Sequence, residues 1–200
     1  KDSFMGPVHR AAIDKAGNFR IVAGAFGSSR QSSYDTGEAL GLPGKSVFGH
    51  YRDFFRHQQA LVPARRVAFV AAVLPNTMHY PVAMLALDSG LPVLGEKPFT
   101  CNLDEATNLC RKQRATGVPY RIAMVYPAYT MLAEARRLVR EGALGTLRRF
   151  TFTYTLGWMA RRVENLGNRQ ALWRVDEHRN GPAGVVTDLG CHCQFVLEWL

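Results

Sequence analysis

The chain has 200 residues, of which 47% are hydrophobic, so it can form one large globular domain or two small ones. Its net charge of +9 would suit a polyanion, but the arginines occur as separated pairs without a contiguous basic face, so nucleic-acid binding is not expected. No apolar run is long enough to span a bilayer, and we expect no membrane partner.

The four cysteines show neither CxxC spacing nor a secreted disulfide framework, which favours a reducing, cytoplasmic compartment. An exported form stays open because the chain begins at Lys1, and together with the apolar ending at Leu200 this predicts a chain cut at both ends. Cys191, His192 and Cys193 invite a metal hypothesis. On a helix, however, neighbours at i and i+2 point to different faces, so we predict no metal site.

Strand and helix signals alternate through residues 1–125, which is the pattern of βαβ units and of an α/β fold with a parallel sheet. We predict strands at residues 19–26, 47–48, 67–74, 91–95 and 120–125. Helices are predicted at residues 51–61, 76–89 and 103–116, and residues 27–40 are compatible with another. Asn76 is expected to cap its helix and Gly90 to end it.

The pattern changes after residue 125, and we predict a second domain at residues 126–200. A helix at residues 131–141 precedes Phe150, Phe152 and Tyr154, which alternate with threonines as in a half-buried antiparallel strand. Residues 158–184 lack a clear period, and long ordered loops of this kind are often functional. A last helix is predicted at residues 185–200.

A lysine follows the apolar strand at residues 91–95, within the tripeptide Glu96, Lys97 and Pro98. The carboxyl ends of the strands are where open α/β sheets bind ligands. A lysine at that edge can hold an oxygen or share a proton. The alternative is a loop lysine that only forms a salt bridge.

Asp188 and His192 lie four residues apart, so on a helix they share a face and can interact. The carboxylate would orient the imidazole and stabilise its protonated form, and histidine exchanges protons near neutral pH. A surface pair without a role is the alternative.

The beginning of the chain carries a fragmentary phosphate-loop signal. Gly6, followed by a helical stretch and a strand, resembles the last glycine of GxGxxG, a motif that places a pyrophosphate at a helix N-terminus. About twenty residues later an acidic residue would bind the ribose hydroxyls. Ser28, Ser29 and Arg30 stand there instead, and a cation with hydroxyls suits a 2′-phosphate. NADP and NAD both stay open, as does a polar loop without a ligand.

Pro75, Asn76 and His79 form a PNxxH motif after the strand at residues 67–74. Helix capping explains these residues adequately. Their position at the carboxyl edge of the sheet gives them a functional reading as well.

Taken in order, these motifs resemble the Gfo/Idh/MocA family, the glucose-fructose oxidoreductase and inositol dehydrogenase group, over essentially the whole chain. The resemblance is carried by Pro75, Asn76 and His79, then Glu96, Lys97 and Pro98, then Asp188 and His192. Residues 136–145 are similar to the family segment that leads into its second-domain sheet. The order and spacing together are far more specific than any single motif.

The resemblance implies an N-terminal Rossmann domain and a C-terminal α+β domain on an open, mostly antiparallel sheet that often pairs subunits. It implies an enzyme that transfers a hydride between NAD or NADP and a sugar, polyol or related secondary alcohol. A glycoside-cleaving enzyme without net redox and a non-catalytic dinucleotide-binding regulator are the alternatives. The full-length protein is expected to be a homo-oligomer, either a dimer or a tetramer.

The resemblance also implies roles for individual residues. Lys97 would hold the reacting oxygen and help to move its proton, His192 would be the general acid or base, and Asp188 would assist substrate binding. The residues expected beside the cofactor are Gly6, Ser28, Ser29, Arg30, Pro75, Asn76, His79 and Glu96. Trp173 and Arg174 resemble a "WR" pair that lines the substrate pocket. The earlier glycines of the phosphate loop are absent, so this chain carries an incomplete cofactor site.

Overall fold

The computed structural model describes residues 4–184 and 186–200, so Lys1 and Val185, the first residue of the last predicted helix, lie outside the described residues. The chain divides into two compact units. Unit 1 takes in the chain up to Val73, with Tyr80–Gly95 and Thr107–Arg121. Unit 2 consists of Leu74–His79, Glu96–Ala106 and the chain after Ile122.

The helices of the described residues are α1 Met5–Ala16, α2 Arg30–Ala39, α3 Tyr51–Ala60, α4 His79–Asp88, α5 Leu103–Thr116, α6 Thr130–Arg140, α7 Arg169–Val175, α8 Glu177–Asn180 and α9 Cys191–Trp199. The strands are β1 Val70–Ala72, β2 Val93–Gly95 and β3 Tyr120–Ile122. None of these helices combines the length and the apolar character that a membrane crossing requires.

The strands form one sheet in the order β1-β2-β3. β1 and β2 are parallel, with Val70 opposite Val93, and the Val93 N–H donates to the Pro119 carbonyl oxygen over 3.0 Å. This confirms the α/β class and the strands predicted around residues 70, 93 and 120. The two earlier predictions were wrong in extent, because residues 19–26 and 47–48 contribute only one parallel bridge, between Gly24 and Val47.

Two predictions in the second half also need correction. Residues 150–154 pair with no strand among the described residues, although Phe150, Phe152 and Tyr154 stack in a row as neighbours on one extended face. Alternation shows which side chains share a face, whereas a strand also needs a backbone partner. The segment expected to be a loop at residues 158–184 contains α7 and α8, which are too short to show a helical period.

The core of unit 1 fixes the position of the carboxyl end of β2. Ala83 and Ala86 of α4 are fully buried together with Leu109 of α5, and Gly90 ends the α4 segment with a φ of 69°, as predicted. A Cβ on Gly95 would lie 2.3 Å from the Tyr120 hydroxyl oxygen, so a larger residue at the end of β2 would require the Tyr120 side chain to move. The chain leaves this strand directly into the Glu96, Lys97 and Pro98 tripeptide.

Helix α5 offers a matched pair of leucines for testing the core. Leu109 is 0% exposed and Leu103 is 79% exposed. We expect Leu109→Ala to lower the free energy of unfolding by about 2 to 5 kcal/mol, because it removes buried methyl groups and leaves a cavity. Leu103→Ala should change it by less than about 0.5 kcal/mol. Urea unfolding followed by circular dichroism measures both, and equal losses would contradict this packing.

Candidate active site

The site begins with the ammonium group of Lys97, within unit 2. Its Nζ donates to the backbone oxygen of Asp188 over 2.9 Å and to Oδ1 of the same residue over 2.5 Å. The side chains of Lys97 and Asp188 are 20% and 8% exposed. An ammonium group has three donors, and no acceptor among residues 4–184 and 186–200 takes the third. The lysine is thus held in place with one N–H still available.

Asp188 lies in a π-helical turn, Val186–Gly190, immediately before α9. Its second carboxylate oxygen, Oδ2, accepts a hydrogen bond of 2.9 Å from Nε of Arg174. Burial opposes ionisation, but the hydrogen bonds and charges of Lys97 and Arg174 outweigh it and hold the pKa of Asp188 below its usual range. One buried carboxylate therefore serves two cations.

His192 is buried in the first turn of α9. Its ring stacks on Tyr154 at 6.0 Å and meets Tyr126 edge to face at 4.9 Å between ring centroids. Nδ1 is buried and has no hydrogen-bond partner among the described residues. Burial lowers the pKa of His192, and the charge of Lys97 lowers it further. The ring is therefore neutral at neutral pH, and within the described part of the chain one of its nitrogens has no partner.

Asp188 and His192 were predicted to interact, and among the described residues they do so through charge rather than through a hydrogen bond. Both oxygens of the carboxylate bind cations, Lys97 and Arg174, and the histidine ring packs on tyrosines instead. A π-turn bonds i to i+5 and rotates successive side chains differently from an α-helix, so the four-residue spacing does not give these two groups their α-helical arrangement. The charge of Asp188 favours the protonated ring of His192.

The PNxxH segment is tied to α8. Asn76 is not a helix cap, because it begins a 3-10 turn, Asn76–Met78, that precedes α4. Its buried Nδ2 donates to both the backbone oxygen and Oδ1 of Asn180, over 3.1 Å and 2.7 Å. Thr77 adds a bond from its hydroxyl to the His178 carbonyl oxygen. Asn76 was predicted to lie by the cofactor, and its amide nitrogen is bonded to the protein.

His79 connects the two loops that carry the predicted motifs. It is 2% exposed, with Nδ1 2.7 Å from the Pro98 carbonyl oxygen and Nε2 3.1 Å from that of Leu74. Burial lowers the pKa of His79, against the effect of both carbonyl oxygens, which favour the protonated ring. Glu96 is also buried, and its Oε2 accepts the Lys97 backbone N–H. These contacts fix the backbone on both sides of Lys97.

The predicted WR pair forms part of the same cluster. The Arg174 guanidinium carbon lies 4.6 Å from the ring centroid of Trp173 and 5.3 Å from that of Trp158. Arg174 therefore faces Asp188 and two indoles. Trp158 is 40% exposed and gives the cluster an apolar outer surface.

Of the residues predicted for the dinucleotide, Gly6, Ser28, Ser29 and Arg30 lie in unit 1. Gly6 is in the first turn of α1, and Ser29 is the N-cap of α2, where its hydroxyl accepts the Ser32 N–H. Arg30 is the first residue of that helix. Its side chain lies against Gly49, since a Cβ added to this glycine would be 2.9 Å from Arg30 Cγ. Two helix N-termini with hydroxyls and a guanidinium fit the phosphates and ribose of a dinucleotide. Ser29 has a capping role that the sequence analysis did not assign.

Three site residues were missed. Asn180 is 2% exposed and binds Asn76, and its Nδ2 donates to the Arg174 carbonyl oxygen over 2.8 Å. Tyr126 and Tyr154 form the walls around His192. Asn180 lies in the aperiodic segment, directly before Gly181. The only signal there was that Asn and Gly are typical of turns, which does not indicate a site. No spacing rule connects it to residue 76.

Comparison with known proteins identifies the family of the chain. Residues 3–124 match a family described as the oxidoreductase family with an NAD-binding Rossmann fold, and residues 132–200 match the GFO/IDH/MocA C-terminal domain. The chain therefore belongs to the GFO/IDH/MocA oxidoreductase family, as the motifs predicted. The boundary at residue 125 stays a prediction.

Individual relatives cover the whole chain. An inositol dehydrogenase homolog from Azotobacter vinelandii, solved with NAD⁺, is 29% identical and superposes with a TM-score of 0.92 over 100% of this chain and 50% of that one. A second structure of that homolog, with NADH and myo-inositol, has a TM-score of 0.86 at 28% identity over 100% of this chain and 49% of that one. The D-xylose 1-dehydrogenase (NADP(+)) of Hypocrea jecorina is 28% identical over 100% of this chain and 48% of its own length. The chain thus spans about half the length of the relatives it matches.

The burial of His192 gives a test by pH. Because its pKa is lowered in the folded protein, the unfolded chain binds a proton first as the pH falls through about 6.5. Stability that is present above this pH is therefore lost below it. We expect His192→Gln to lose less unfolding free energy than the wild type between pH 7.5 and 5.5, measured by urea unfolding. His57→Gln, at an exposed position of α3, controls for removing an imidazole, and a His192→Gln profile parallel to the wild type would contradict the burial.

Proposed function

We propose that the full-length protein is an NAD(P)-dependent oxidoreductase that transfers a hydride between a nicotinamide cofactor and a carbinol carbon of a sugar, polyol or related secondary alcohol. The observation that carries this proposal is the Lys97 ammonium group, held by Asp188 with one N–H available. Family membership and relatives named for inositol and xylose support the substrate class.

Lys97 would bind the reacting oxygen through its remaining N–H. Two of its donors are fixed on Asp188, so the direction of the third is defined before the substrate arrives. A positive charge at this oxygen stabilises the alkoxide character that develops as the alcohol is oxidised. Asp188 contributes by holding the ammonium group, in addition to its predicted assistance in substrate binding.

His192 would act as the general base for oxidation and the general acid for reduction. Its lowered pKa leaves the ring neutral and able to accept a proton at neutral pH. As the carbinol C–H bond breaks, the hydroxyl proton goes to the ring and the C–O bond becomes a carbonyl. The partnerless Nδ1 supports this role, because a buried nitrogen without a partner is costly in a purely structural histidine.

The cofactor would be NAD or NADP. When bound, its nicotinamide ring supplies the hydride acceptor. In unit 1, the first turn of α1 with Gly6 suits the pyrophosphate, and Ser28, Ser29 and Arg30 suit the ribose or its 2′-phosphate. In unit 2, Pro75, Asn76, His79 and Glu96 would shape the cofactor side of the site by fixing the backbone around Lys97.

We also propose that the full-length protein is a cytoplasmic homo-oligomer. The extended row of Phe150, Phe152 and Tyr154, which has no strand partner among the described residues, supports the association. The absence of disulfide spacing supports the compartment.

Replacing Lys97 tests the proposal most simply. We expect Lys97→Ala to lower kcat/KM by about 10²- to 10⁴-fold, because it removes the group that positions the reacting oxygen. Lys112→Ala is the control, since Lys112 forms an ordinary salt bridge with Asp88, and it should retain activity within about twofold. Initial rates of NADH or NADPH formation with a panel of sugars and polyols provide the measurement.

The same assay separates the alternatives. Undiminished turnover in Lys97→Ala would overturn the assigned role. Sugar release without net NADH or NADPH formation would indicate the glycoside-cleaving enzyme. Dinucleotide binding without turnover of any substrate in the panel would indicate a regulator.

A further inference from the structure

We propose that Arg174 is a positioning residue that acts through Asp188: by holding one carboxylate oxygen, it presents the other to Lys97. This assignment replaces the expected role of Arg174 as a direct contact for the substrate. It rests on the proposed function for its effect on turnover, while the contact itself can be tested without any substrate.

The guanidinium group of Arg174 is committed to the protein on several sides. Nε donates to Oδ2 of Asp188 over 2.9 Å, and Nη1 donates to the backbone oxygen and Oε1 of Gln170 over 2.9 Å and 3.2 Å. The indoles of Trp173 and Trp158 lie within cation–π distance of the group. An arginine whose Nε and Nη1 are occupied in this way is placed to orient a neighbour.

The backbone beneath Arg174 is also anchored. Its carbonyl oxygen accepts from Nδ2 of Asn180, whose Oδ1 accepts from Asn76. Asn76 and Asn180 are both buried, so this connection is shielded from water. The position of Arg174 is therefore set at both its main chain and its side chain.

Removing the guanidinium has a defined structural consequence. Asp188 would keep the bonds from Lys97, but Oδ2 would lose its only hydrogen-bond donor among the described residues. The carboxylate could then rotate and offer Oδ2 to the remaining Lys97 N–H. The ammonium group would become fully occupied by Asp188, and its donor for the reacting oxygen would be lost.

A double-mutant cycle on the full-length protein tests the proposal. We expect Arg174→Met to lower kcat by about 10- to 100-fold, the range seen when the partners that orient metal ligands are removed. KM for the alcohol should change by less than about threefold. In an Asp188→Asn background, Arg174→Met should lower kcat by less than about a further threefold. The effects of two residues that act through one another are not additive. Additive losses, or a loss confined to KM, would overturn the proposal and indicate direct substrate contact.

Two further variants define what Arg174 supplies. Arg174→Lys should recover only part of kcat, because an ammonium group keeps the charge but not the planar fork. Arg179→Met removes an exposed arginine from α8 that pairs with Asp176, and its kcat should stay within about twofold of the wild type. Full recovery in Arg174→Lys would show that charge alone suffices and would contradict a positioning role.

A titration separates this proposal from the enzymatic one. The carboxyl carbon of Asp188 can be followed by ¹³C NMR in aspartate-labelled full-length protein, with Asp188→Asn assigning the signal. Because Lys97 and Arg174 together hold the pKa of Asp188 low, Arg174→Met should raise it, whereas Arg179→Met should not. An unchanged Asp188 titration in Arg174→Met would overturn the contact. A shifted titration in a protein without turnover would leave the contact standing and remove the proposed function.

Discussion

The ion pair between Lys97 and Asp188 joins residues 91 positions apart in the chain and sets the arrangement of unit 2 around it. Both side chains are mostly withdrawn from water, and a buried pair of this kind contributes little net stability because desolvation offsets the Coulomb attraction. Losing one partner is costly, because it leaves an uncompensated buried charge. The pair is therefore better explained by the direction it imposes on the ammonium group than by stabilisation of the fold.

The contacts that surround this pair all restrict the same groups. The two ring nitrogens of His79 lie against the carbonyl oxygens of Leu74 and Pro98, on the two loops that meet beside Lys97, and the neutral ring donates to one of them. Asn180 joins Asn76 to the backbone of Arg174, and Arg174 binds Asp188. A continuous set of hydrogen bonds thus runs from the PNxxH segment to the ammonium group. Such a network favours one geometry because each buried polar group is satisfied only there.

Much of this could be predicted from the sequence, and the remainder has definite physical causes. The apolar run that ends at Gly95 predicted a buried strand, so Lys97 could be placed at the edge where ligands bind. Asp188 and His192 were singled out by residue type, and their roles stay predictions. Their partners were not singled out, because the π-turn changes the direction of side chains and no local pattern announces it. Asn180 was missed since its contact with Asn76 spans 104 positions.

The strand predictions at residues 19–26 and 150–154 failed for a related reason. Alternation or an apolar run describes the faces of one segment, whereas pairing depends on a second segment elsewhere in the chain. Residues 19–26 have the composition of a strand but form a single bridge at Gly24. Phe150, Phe152 and Tyr154 keep the side-chain alternation without a paired backbone in the described part of the chain.

The central claim is that Lys97, held by Asp188, binds the reacting oxygen. A crystal structure of the full-length protein with the reduced dinucleotide and its alcohol substrate tests this most directly, because the complex contains every component yet cannot turn over. We expect the carbinol oxygen within about 2.6 to 3.2 Å of Lys97 Nζ, and His192 within the same range of that oxygen. Asp188 should keep its bonds to Lys97 and Arg174. A carbinol oxygen bound elsewhere, with all three Lys97 donors on protein groups, would contradict the account.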